Sequence, residues 1–121
     1  MSLASFFTST CETRELHSDA SLRTRYYRNS YKQAFEALKS LEKELDFDIR
    51  DVNETHGEVY LISNGYEVIV TMVQVTPIET GIDFKVNTFS AIGFGRPKKI
   101  AVRFYKEFDR LLKFKGVALH P

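Results

Sequence analysis

The chain has no tryptophan, one cysteine, three prolines, six glycines and a net charge of only +1. A single thiol, Cys11, excludes an intramolecular disulfide and points to a reducing compartment, with the cytoplasm as the default. No run of about 18 apolar residues is available to cross a bilayer. The opening MSLASFFTSTCETRELHSD also lacks the basic start and long apolar core of a signal peptide. Its FFTSTC resembles a lipoprotein attachment site only in outline, since Thr10 stands where a glycine or alanine is wanted. With so little net charge, no global field directs the chain toward nucleic acid or a membrane surface. Repeats, low-complexity tracts and interdomain linkers are absent as well.

What is present is a globular composition. Hydrophobic residues make up 43% and charged residues 27% of 121 residues, with ten Phe and six Tyr. One core then suffices, burying roughly two-thirds of the unfolded surface without metal or disulfide support. Charge is distributed unevenly: Ser21 to Ala34 carries Arg23, Arg25, Arg28 and Lys32 with no acid. Phe35 to Glu67 carries nine acids against three bases, and the rest of the chain nine bases against four acids. Opposed surface patches or internal pairing both satisfy this pattern.

Residues 1–20, rich in Ser and Thr and without a period, read as a mobile tail. From Leu22 the chain alternates Leu22, Thr24 and Tyr26 with Arg23, Arg25 and Tyr27, which predicts a short strand with the first set inward and Arg23 and Arg25 outward. Ser30 and Gln33 fit a capping box. The helix it opens carries Ala34, Phe35, Leu38, Leu41 and Leu45 on one face and Lys39, Glu42, Lys43 and Glu44 on the other.

A strand running from Phe47 to about Val52 follows, then a turn at NETHG, a strand Glu58 to Ser63, and Asn64-Gly65, a strong hairpin signal. Tyr66 to Thr76 is the most apolar segment, with Val68, Val70 and Met72 on one side and Ile69, Val73 and Val75 on the other. Ile82, Phe84 and Val86 alternate with Asp83, Lys85 and Asn87 in a final strand. Pro97 suits the first position of a last helix striped by Ile100, Phe104, Phe108, Leu111 and Leu112. Lys113, Lys115 and Gly116 are placed to close that helix.

The order β-α-β-β-β-β-α, with hairpin-length connections, predicts an α+β two-layer sandwich: an antiparallel sheet with two helices packed on one face. One domain spans residues 21–116, with residues 117–121 a C-terminal tail. The segments RTRYY, AFEALKSLEKELDFDI and HGEVYLIS resemble a loose group of small bacterial domains over Ser21 to Val86. The pattern is similar to the helix-grip domains of the outer-membrane assembly lipoprotein C and related families. That resemblance implies a binding or assembly module and brings no catalytic residues with it.

Four groups are candidates for chemistry. Arg23, Arg25, Tyr26, Tyr27, Arg28 and Tyr31 combine phosphate-neutralising cations with rings able to stack on bases, but alternation disperses them over two faces. Arg96, Lys98 and Lys99 sit at the positive end of the last helix, where an anion would relieve them; the preceding GFG lacks the spacing of a phosphate loop. Asp51, Glu54, His56 and Glu58 are metal-ligand types, yet without paired spacing on one element they read as a polar turn. No serine occupies a strand-turn-helix elbow, and Cys11 lies in the presumed tail.

The fourth group is the far side of the sheet. If Val68, Val70 and Met72 face the helices, then Tyr60, Ile62, Ile69, Val73 and Val75 form an apolar face that marks an interface, unless Phe6 and Phe7 fold back over it. The sequence therefore predicts a non-enzymatic cytoplasmic module that self-associates, as a homodimer, or binds a protein partner through that face. No cofactor is implied. The alternative is anion or nucleic-acid binding through Arg23, Arg25, Arg96, Lys98 and Lys99.

Overall fold

The computed structural model describes residues 9–89 and 96–121. Phe6, Phe7 and the glycines before Arg96 fall outside the described residues.

Seven strands, β1 (Ser9–Glu12), β2 (Arg25–Tyr27), β3 (Phe47–Asn53), β4 (Glu58–Ser63), β5 (Tyr66–Thr76), β6 (Glu79–Thr88) and β7 (Phe114–Val117), form one antiparallel sheet. Its order is β3-β4-β5-β6-β2-β7, and β1 shares with β2 the second edge of β6. Helices α1 (Tyr31–Ser40) and α2 (Arg96–Leu111) lie on one face, which gives the predicted α+β sandwich.

Each long element forms for a local reason. At α1, Ser30 Oγ accepts from the Gln33 amide at 3.1 Å and Gln33 Oε1 accepts from the Ser30 amide at 3.0 Å, the expected capping box. Asn64-Gly65 turns β4 into β5 with Gly65 at φ +90°. Along β4, β5 and β6 every second residue is buried: Val59, Leu61, Val68, Val70, Met72, Ile82, Phe84 and Val86. Leu38 and Leu41 cover them from the α1 side, and Phe104 and Phe108 from α2. Phe84 is the hub, its ring centroid 4.7 Å from that of Tyr105, 5.4 Å from Phe104 and 5.8 Å from Phe108. Stacked and tilted rings of this kind add to area burial, about 0.5 to 1.5 kcal/mol per pair.

The structure departs from the sequence prediction at both ends. Residues 9–12, expected in a mobile tail, pair with β6, Ser9 opposite Thr88 and Glu12 opposite Lys85. Lys113, Lys115 and Gly116 do not close the last helix: Leu112 follows α2 directly and Phe114–Val117 pair with β2. The tail beyond docks too, with the Ala118 amide donating to the Thr24 carbonyl at 2.8 Å.

The first predicted strand is also shorter and reversed. Ala20–Leu22 is a 3-10 turn capped by Asp19, so the strand proper starts at Arg25. Arg25, expected outward, turns to Asp109 of α2 together with Tyr27, which is fully buried with its ring 6.3 Å from that of Phe108. Tyr26, expected among the inward set, lies over Gly81 on the sheet face away from the helices.

Candidate binding face of the sheet

The face opposite the helices is built by the alternate residues of β4, β5 and β6. Tyr60 stands across from Ile69, Ile62 from Glu67, and Val73 from Gly81. The five residues predicted from alternation, Tyr60, Ile62, Ile69, Val73 and Val75, therefore share this face. They divide in exposure. Tyr60, Ile62 and Ile69 are half-buried beside a polar stripe in which Tyr60 OH donates to Glu67 at 3.2 Å and Thr10 Oγ1 donates to Asn87 at 2.8 Å. Val73 is 54% exposed, Val75 39%, and Ile78, at the hairpin tip joining β5 to β6, 73%.

Beside Val73 and Val75 lies a cavity of about 390 Å³ reaching Glu15, Tyr26, Gly81, Asp83 and His120. Gly81 is what admits Tyr26: a Cβ there would stand 2.6 Å from Cε2 of the ring. Burial first, and then its hydrogen bond to Glu15, pushes the Tyr26 phenol well above its ordinary range, so it acts as a donor. His120 closes the cavity from the C-terminal segment. Its ring meets Tyr26 edge-on at 4.9 Å, its Nε2 lies 2.8 Å from Glu79 Oε2, and its amide donates to Glu15 at 3.0 Å. Glu79 is held below the usual carboxylate range by Lys115 and His120.

Asp83 forms the floor. β6's edge is left by the chain at Thr13 and regained at Thr24, and both hydroxyls donate to this carboxylate at 2.6 and 2.9 Å. Thr13 Oγ1 also accepts from the Phe84 amide at 2.9 Å and from Tyr105 OH at 3.1 Å, so one polar chain runs from the helix layer to the open face. Desolvation outweighs these bonds and holds the Asp83 carboxyl above the usual aspartate range, with Glu15 and Glu12 adding repulsion.

The basic residues singled out in the sequence do not gather. Arg25 projects to the helix side, where both ends of its guanidinium fork meet Asp109 at 3.1 and 2.7 Å, and it rests 4.1 Å from the centre of the Phe114 ring. Tyr27 OH donates to the same carboxylate at 2.7 Å. Arg23 Nε donates to the His17 carbonyl, Lys98 pairs with Asp19 at 2.7 Å, and Arg96 lies over the Tyr66 ring at 6.0 Å. Lys99 is exposed on α2.

A second cavity, about 460 Å³, is lined by His56, Glu54, Tyr31 and Gln74. Glu54 and His56 are exposed turn residues, and no hydrogen bond joins them among the described residues. Asp51 and Glu58 belong to the two strands that the turn connects. Among the described residues no group of three or more His, Cys, Asp or Glu is arranged to hold a metal ion. No helix among them is long and apolar enough to cross a membrane.

Sequence reasoning missed Glu15, Asp83 and His120. Asp83 was legible as an outward residue of its strand; Glu15 and His120 reach it from segments without periodicity. No protein-family model, curated protein or solved structure matches the chain.

Proposed function

We propose that the protein is a non-enzymatic binding module whose open sheet face receives another protein chain, a second copy or a separate partner. The observation that carries this reading is the exposed pair Val73 and Val75 beside a cavity, on the face that no helix covers, with exposed Ile78 at the adjoining hairpin tip. Apolar side chains left exposed beside a cavity are costly in water and support an interaction site. The compartment proposed is the reducing cytoplasm, on the ground of the single half-buried thiol Cys11.

Native mass spectrometry of the purified protein tests the reading directly. A dimer or a retained protein partner is expected, and Val73→Glu combined with Ile78→Ser should return the species to a monomer without lowering the melting temperature by more than about 3 °C. A bare monomer at tens of micromolar, unchanged by those substitutions, would count against it.

A further inference from the structure

The cavity at the β2 end of the open face has two unlike walls. Val73 and Val75 supply an apolar wall, while Glu15 and Asp83 present carboxylates. Among the described residues neither carboxylate has a basic partner. Glu15 accepts from the Tyr26 hydroxyl and the His120 amide, and Asp83 accepts only from Thr13 and Thr24. Their neighbour Glu79, by contrast, holds both Lys115 and His120. The Lys115 ammonium is thus held by Glu79 and not shared with the other two acids.

We propose that this cavity takes the lysine or arginine side chain of an extended basic segment of a partner protein. The alkyl stem lies along Val73 and Val75, and the cationic head enters between Glu15 and Asp83. Such side chains combine an apolar stem with a charged tip, which matches the two walls. Burial disfavours the Asp83 carboxylate, and an incoming cation relieves that penalty. Around it, Glu12 and Glu67 add carboxylates on β1 and β5 while Lys85 and Arg50, the latter near Tyr60, add cations, so the unpaired acids are centred on the cavity. A second copy turning this face inward would set these carboxylates against their own counterparts, so charge complementarity selects a basic partner over a copy.

The inference rests on the open-face reading and is tested separately from it. An extended hexapeptide of alternating valine and lysine, and the same peptide with norleucine for lysine, are titrated into the ¹⁵N-labelled protein. The lysine peptide should shift the Val73, Gly81, Asp83 and His120 amides and bind at least about tenfold tighter than the norleucine peptide. Glu15→Gln and Asp83→Asn should each weaken it by about five- to tenfold, less at high salt. Glu15→Gln leaves the Thr13 and Thr24 bonds to Asp83 intact, so it reports even if Asp83→Asn unfolds. Equal binding of both peptides would overturn the basic-segment inference while leaving an apolar docking face. Binding of neither up to millimolar concentration would overturn it as well, and a face-dependent dimer by native mass would then identify a second copy as the occupant.

Discussion

Thr13 Oγ1 donates to Asp83 Oδ1 across 2.6 Å, and the same oxygen accepts from the Phe84 amide. Thr13→Val would strand a buried amide and strip Asp83 of a donor, at a cost of about 2 to 3 kcal/mol. Thr13→Ser keeps the oxygen and should recover all but about 1 kcal/mol. Urea denaturation of the three proteins checks both figures; a valine variant as stable as the serine variant would remove the hydroxyl from the account.

Arg25 and Asp109 form a two-point pair with side chains 21% and 35% exposed. That is sheltered enough to exceed an ordinary surface bridge, and the Phe114 ring holds the guanidinium in place. A double-mutant cycle with Arg25→Ala and Asp109→Ala should give a coupling of about 1 to 2 kcal/mol. Coupling below about 0.3 kcal/mol would put the pair in the solvent-screened class.

Gly57 has φ +67°, and a Cβ there would collide with the Met72 carbonyl oxygen, which is backbone and fixed in β5. Gly57→Ala should therefore cost roughly 2 to 4 kcal/mol in thermal or urea unfolding. At Gly65 an added Cβ meets only the flexible Arg96 side chain, and Gly65→Asn should stay within about 1 kcal/mol. Equal losses at the two positions would contradict this distinction.

The raised Asp83 pKa has a definite sign in the stability profile. The folded state binds the proton more readily than the unfolded chain, so ionising Asp83 is a penalty, fully present above the folded value. It fades as pH falls through the window between the two values and is gone below the ordinary aspartate value of about 3.9. The stability of Asp83→Asn relative to the unmodified protein should therefore rise as pH is raised from about 3.5 to 7. Urea midpoints across that range measure it, and a pH-independent difference would sink the idea.

The sandwich, the α1 capping box, the Asn64-Gly65 hairpin and the faces of β4, β5 and β6 were legible because each rests on neighbours within a few residues. β1 and β7 were not, since a four-residue strand has too few side chains to show a period and its partner is supplied by the rest of the fold. The error at β2 has a simple origin. Starting the alternation at Leu22 ran it through a 3-10 turn, and in a period of two a false start reverses every later face. Thr24 and Tyr26 are buried as expected, but by the docked C-terminal segment on the open side. The cavity was hidden for the same reason: Glu15, Asp83 and His120 meet only after three remote segments converge.

β6 carries β5 along one edge and both β1 and β2 end to end along the other. The hairpins β3-β4-β5-β6 can assemble from close sequence neighbours, whereas the second edge must recruit pieces about 50 to 80 residues away, with the loop-closure entropy that this entails. Opening from that edge would unmake the cavity while leaving the four-stranded layer paired. The site is thus built on the least local part of the chain, and its presence is coupled to completion of the fold.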